Sequence, residues 1–267
     1  MVTPTQIRGQ RVLLTGATGG IGRAIAKALA RRGAHVTVTG RRVDVLEEVA
    51  AEIGGDAVAA DLNTEDGVLE LLGQVGDIDI LVANAALPAS GEITDFTVEQ
   101  IDRALDVNLR APIVLSRKAA ESMSKRRHGH IVFISSLSGK VATMGSSLYS
   151  ATKFGMRGYA LGLREDLRPH GVGVSVIYPG FIRDAGMFAD AGVTLPRGVG
   201  TKTPEEVASA TIHAIERNRA EIDVAPVGMR IGTKIGVIAP QLAAMFNRRA
   251  GGAEIAANFK EAQRVKR

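Results

Sequence analysis

The stretch from Arg11 to Gly22 constrains this chain more than any other. Arg11-Val12-Leu13-Leu14-Thr15 is a short apolar run that suits a buried strand. It runs into Gly16-Ala17-Thr18-Gly19-Gly20-Ile21-Gly22, and a helical pattern follows at Ile21, Ala24, Ile25, Ala28 and Leu29. Strand, glycine turn and helix in that order let the backbone approach a pyrophosphate, whose charge the helix N-terminus favours. No Gly-Lys-Ser/Thr closes the turn, so it is not a P-loop. The spacing Gly16-x-x-x-Gly20-x-Gly22 also departs from G-x-G-x-x-G. The context predicts dinucleotide binding, with a merely tight structural turn as the competing reading.

Further strands follow at residues 35–39, 56–60, 78–82, 130–134, 173–177 and 221–225. Strands alternating with helices imply a doubly wound, seven-stranded parallel sheet with helices on both faces. Ligands then collect at the C-terminal strand ends. The second strand stops at Gly40-Arg41-Arg42, where an NAD-preferring site usually carries an acid for the ribose 2′-hydroxyl. A guanidinium there suits a 2′-phosphate, which predicts NADP(H) over NAD(H). The competing reading makes Arg41 and Arg42 solvated helix-start residues. Asp61-Leu62, Asn84-Ala85-Ala86 and Ser136 fall on the same rim. For Asp61, a helix N-cap or turn role competes.

Residues 97–125 carry continuous helical periodicity, with Asn108 on or near the apolar face. A buried asparagine must find partners, either the main chain or a water in a proton path. Arg126-Arg127-His128 reads as a solvated helix end. A second long helix, residues 147–167, carries Tyr149 and Lys153. Their i, i+4 spacing puts both side chains on one face, roughly 5–6 Å apart at Cβ. A phenol ionises at about pH 10, and an adjacent ammonium favours the phenolate. The pair can therefore give and take a proton, although such pairs also occur on ordinary helices. Residues 184–202 are glycine-rich and aperiodic and read as a mobile loop over the site. Thr203-Pro204-Glu205-Glu206 opens a helix with a capping box.

Composition removes several chemistries. There is no cysteine, hence no disulfide, thiolate metal site or cysteine nucleophile. The histidines are scattered without metal-ligand spacing, and no nucleophile elbow appears, so no metal is expected. Residues 229–267 hold eight lysines and arginines against two glutamates, a net charge of +6. Residues 1–228 then sum to −1, so the basic balance belongs to the tail, which argues against nucleic acid as a partner. Residues 235–246 form an apolar run broken by Pro240 and followed by Arg248-Arg249. It is too short to span a bilayer and reads as a pocket cover, a subunit contact or a membrane-surface segment. No apolar signal core precedes Arg11, which fits a cytoplasmic protein.

Together these motifs resemble the short-chain dehydrogenase/reductase family, of the single-domain Rossmann-like type. The match covers roughly residues 8–225: Thr15-Gly16-Ala17-Thr18-Gly19-Gly20-Ile21-Gly22, Asp61-Leu62, Asn84-Ala85-Ala86, Asn108, Ser136, Tyr149-x-x-x-Lys153 and Pro179-Gly180. The resemblance implies a dinucleotide-binding and catalytic domain at 1–228 and a basic extension at 229–267. It implies Tyr149 as general acid or base, and Lys153 as the group that lowers the tyrosine's pKa and binds the nicotinamide ribose. Ser136 would bond the substrate oxygen, and Asn108 would hold a water linking Lys153 to solvent. Cofactor contacts are expected from Gly16, Thr18, Gly20, Ile21, Gly22, Arg41, Arg42, Asp61, Leu62, Asn84, Ala85, Tyr149, Lys153, Pro179, Gly180 and Ile182. Two positions depart from the family pattern. Ala86 stands where a glycine is usual and narrows the pocket mouth, and Asp184 stands where a threonine usually bonds the carboxamide. The expected activity is hydride transfer between NADP(H) and a carbonyl or secondary alcohol. Phe181, Met187, Phe188, Val193 and Leu195 suggest an apolar ketone or hydroxy compound. The alternatives are an NAD-linked alcohol or steroid dehydrogenase, or a non-catalytic regulatory protein. A homodimer or homotetramer pairing the two long helices is also implied.

Overall fold

The computed structural model describes residues 4–192, 199–241 and 252–263. Seven strands form one parallel sheet: β1 (Arg11–Thr15), β2 (His35–Gly40), β3 (Asp56–Ala59), β4 (Ile80–Ala83), β5 (His130–Ile134), β6 (Gly173–Pro179) and β7 (Glu221–Val224). Their order is β3-β2-β1-β4-β5-β6-β7. Every residue of β4, β5 and β6 is buried, as expected of strands covered on both faces. Within β1 the side chains alternate. Val12 and Leu14 join one core with Ile25, Leu29, Val38 and Ile212, while Leu13 joins the other with Leu81, Leu115, Phe133 and Met156.

The first core lies under α1 (Gly20–Arg31), α2 (Val43–Ile53) and α8 (Pro204–Arg217). The second lies under α3 (Glu65–Val75), α5 (Ala111–Arg126) and α6 (Ser147–Leu167). The strand order reverses between β1 and β4, and the crevice at their C-terminal ends is where the site forms. Thr203 caps α8 with the expected reciprocal box to Glu206.

Four expectations change. The helix over residues 97–125 is two helices, α4 (Val98–Leu105) and α5, joined by a π segment at Asp106–Arg110. Pro112 has no N–H for the carbonyl of Asn108 four residues before it, which explains the wider turn. The end of α5 is not simply solvated. Arg126 donates to the Ile78 carbonyl (2.7 Å) and pairs with Asp79 (3.1 Å), while His128 meets Gln10 (3.0 Å). These contacts tie α5 to the start of β4. The 184–202 stretch contains a short helix, α7 (Gly186–Ala191), and Ile182 bridges to Lys202. Val193 and Leu195 lie outside the described residues.

The tail also differs. α9 (Val227–Ile238) starts well before the apolar run expected at 235, and α10 (Gly252–Gln263) has no counterpart among the sequence expectations. Phe246, Arg248 and Arg249 lie outside the described residues. No helix among the described residues is long and apolar enough to cross a membrane.

Candidate active site

The glycine turn is fastened from the next strand. Thr15 Oγ1 accepts from the backbone N–H of Asn84 and of Ala85, both at 3.0 Å. Asn84 Nδ2 donates to the carbonyls of Thr15 (3.1 Å) and Gly16 (3.0 Å). Gly16 sits at φ 69°, and a Cβ there would lie 2.7 Å from Ala85 Cα, so only glycine fits. α1 begins with no side-chain cap and no acid in its first turn, so the N–H groups of Gly20, Ile21 and Gly22 are left for an anion.

The adenosine side is basic. Arg42 donates to the Thr18 carbonyl at 2.6 Å, while Arg41 is exposed with no ion pair among the described residues. A Cβ on Gly40 would lie 3.1 Å from Thr18 Cγ2, so an acidic side chain there is crowded. Asp61 is a turn residue rather than a helix cap. Its Oδ1 accepts from Asn63 N at 3.0 Å, and Thr64 caps α3. Leu62 is buried beside it.

The acid–base group comes from β5 and α6. Ser136 begins a 3₁₀ turn at Leu137–Gly139 that packs tightly on α6: a Cβ on Gly139 would lie 2.7 Å from the Lys153 carbonyl. That contact fixes Ser136 against the helix face carrying Tyr149. The Ser136 hydroxyl lies beside the Tyr149 phenol and accepts from Ser138 N at 3.1 Å. Lys153 is buried; its Nζ donates to the Ile134 carbonyl at 3.4 Å and lies 5.5 Å from the Tyr149 ring centroid.

The expected lowering of the tyrosine is not found in the protein alone. Burial pushes Tyr149 up to about 12, with Ser136 opposing, and pushes Lys153 down to about 8. Both groups are desolvated, and burial disfavours the charged form of each. Tyr159 and Tyr178 are also raised by burial. These are the three tyrosines, and there is no tryptophan, so near-ultraviolet absorbance reads phenolate cleanly. A raised phenol keeps its proton in the folded state, so stability is lost as pH climbs from about 10 through the folded value. The native protein is therefore expected to show no phenolate step at about pH 10. The step should coincide with alkaline unfolding followed by circular dichroism. A tyrosine ionising at its ordinary pH in the folded protein would contradict this burial.

Asn108 finds main-chain partners, one of its two expected readings. Its Oδ1 accepts from Leu87 N (2.6 Å) and its Nδ2 donates to the Leu87 carbonyl (2.9 Å), so the side chain pins the loop after β4. Asp184 adopts φ 68°, is exposed and pairs with Arg183 (3.5 Å). Ile182 and Ala185 line the cavity; Asp184 does not.

That cavity has a volume of about 960 Å³ and holds Ser136, Tyr149 and Lys153 in one wall, with Asn84, Ala86, Pro179 and Gly180 around them. The opposite wall is apolar: Phe181, Met187 and Phe188, then Met229, Thr233 and Ile235 of α9, and Ala256 and Phe259 of α10. Phe259 stacks on Phe181 (6.4 Å) and tilts against Phe188 (6.1 Å). α10 is also held across the cavity, by Lys260 to Asp95 (2.9 Å) and by Ser90 N donating to Gln263 Oε1 (3.2 Å). Thr15 was expected only as part of the glycine motif, and Phe259 and Gln263 were not expected at the site. Ala256, Phe259 and Gln263 share one helical face, a signal that was present at i, i+3, i+7.

A parallel sheet with an open glycine turn beside a Ser-Tyr-Lys group defines a nucleotide-dependent oxidoreductase. The family model for short chain dehydrogenases matches residues 10–194, and the chain belongs to that family. Ketoacyl reductase HetN of Nostoc sp. is 35% identical over 82% of this chain and 80% of its own. Dehydrogenase/reductase SDR family member 7B of Xenopus laevis is 30% identical over 86% and 78%. The solved structure of a short-chain dehydrogenase from Sphingobium yanoikuyae in complex with NADPH superimposes with a TM-score of 0.76 at 27% identity, covering 88% of this chain and 95% of that one.

Proposed function

We propose that this oxidoreductase is NADP(H)-dependent and interconverts an apolar ketone with its secondary alcohol. The observation that carries the reading is that Tyr149, Ser136 and Lys153 together line the wall of a largely apolar cavity. The uncapped α1 turn fits a pyrophosphate, and Lys153 stands where ribose hydroxyls would be gripped. When bound, the cofactor supplies or accepts the hydride at the substrate carbon. Ser136 steadies the developing alkoxide, Tyr149 gives its proton to that oxygen, and Lys153 restores the proton from the Asn108 side. The HetN relative named a ketoacyl reductase and the NADPH complex of the Sphingobium structure support the reading. Met229 and Ile235 of α9 with Ala256 and Phe259 of α10 serve as the apolar cover of the pocket. The protein acts in the cytoplasm as a homodimer or homotetramer joined through α4–α5 and α6.

Turnover of NADPH against a panel of aliphatic and aromatic ketones tests the activity. The cofactor choice rests on the missing acid at Gly40 and the exposed Arg41 beside it. Arg41→Ala with Arg42→Ala is expected to raise the KM for NADPH about 10- to 100-fold, as lost charge-assisted bonds of about 1.5–3 kcal/mol imply. The KM for NADH should not change. A wild-type protein that uses NADH as well as NADPH sinks the preference.

A further inference from the structure

We infer that the outer face of α9 docks on an anionic lipid surface. Val227, Ile231, Ile235 and Ile238 follow one another at helical spacing and are 68%, 53%, 50% and 85% exposed. The opposite side, with Thr233 and Gly236, is buried. A helix on a water-soluble protein normally turns its polar residues outward, and here the outward face is the apolar one. Arg230 and Lys234 flank this ridge, exposed and in no ion pair among the described residues. α9 contains no acidic residue. An apolar ridge with a basic edge matches a bilayer interface carrying negative headgroups.

A second copy of the chain fits the ridge less well. Packing two such helices through the same face brings Arg230 and Lys234 of both together with no acid on either helix to neutralise them. A negative membrane meets both requirements, apolar contact and opposite charge.

The position of the ridge gives the docking a purpose, which rests on the apolar-substrate reading. Ile235 is half-exposed on the ridge and also lines the cavity, as does Met144, 55% exposed. The cavity mouth therefore opens beside the docking face. A ketone dissolved in the bilayer reaches Tyr149 without crossing water, and its alcohol returns the same way.

Flotation of the full-length protein with lipid vesicles tests the docking without using turnover. Co-flotation is expected with vesicles of phosphatidylcholine and phosphatidylserine, and none with phosphatidylcholine alone. Ile231→Asp with Ile238→Asp should abolish it while leaving melting temperature and reduction of a water-soluble ketone unchanged. Arg230→Gln with Lys234→Gln should weaken it about thirtyfold, from about 1 kcal/mol per cation at an anionic surface. Failure to float, or flotation undiminished in both variants, overturns the proposal. So does a dimer that the isoleucine variant splits into monomers without any vesicle binding, which would make the ridge a contact between copies. A protein that floats but consumes no NADPH would overturn the activity and leave the docking intact.

Discussion

Tyr149→Phe is expected to lower kcat for ketone reduction by about 10²–10⁴-fold, the range that a positioned general acid contributes. NADPH affinity should stay as it is. The substitution removes one hydroxyl and keeps the ring, which packs against Ala89, Phe96, Ala104 and Leu148. A single lost polar contact is worth only about 1 kcal/mol, so the fold survives. Ser136 cannot replace the phenol because its hydroxyl has no comparable acidity, and Lys153 is engaged at the Ile134 carbonyl. Full turnover in this variant would remove Tyr149 from the mechanism. The wild-type pH profile carries the same logic. Lys153, lowered by burial to about 8, loses its proton as pH rises past that value, so kcat/KM for reduction should fall on the alkaline side. A profile flat to the ordinary lysine range would show that Lys153 plays no part in restoring the proton.

Gly16→Ala should cost stability on two counts. A left-handed φ costs an L-residue roughly 1–2 kcal/mol. The new Cβ would also stand 2.7 Å from Ala85 Cα and 2.8 Å from Ala85 N, which are backbone atoms that cannot swing away. Overpacking of that kind adds about 1–3 kcal/mol. The melting temperature should drop by roughly 10 °C, with cofactor binding lost as the turn separates from Asn84. Gly54 provides the control. It shares the left-handed backbone, at φ 62°, but its Cβ would meet nothing within 4 Å. Gly54→Ala therefore carries the backbone cost alone, and the difference between the variants isolates the contact with Ala85. Equal melting temperatures would mean that the turn yields.

The centre of the sheet was legible because β1, β4, β5 and β6 are short apolar runs with nearly every residue buried, a pattern that survives without any knowledge of neighbours. The rim residues were legible because each follows such a run directly. Asn108 was harder. Its periodicity marked it as buried, but not that Leu87, 21 residues earlier in the chain, would take both ends of its amide. The Tyr149 shift was hard to read for a related reason. Spacing along a helix says that Lys153 is near, but not how strongly burial of the phenol opposes the lowering that a nearby ammonium brings. The tail was the least legible part. Phe259 meets Phe181 and Phe188 across long sequence separations, and no local signal encodes that.

The anchoring of α10 has a consequence for how such proteins diversify. Phe259, Lys260 and Gln263 hold to the rim: Phe181 and the α7 segment on one side, the stretch around Ser90 and Asp95 on the other. None of these contacts reaches a side chain in the two cores that sandwich the sheet. Residues of α10 can therefore be exchanged to reshape what the cavity accepts at little cost to folding. Selectivity and foldedness become separable traits, the first open to rapid change while the second stays under the control of the strands.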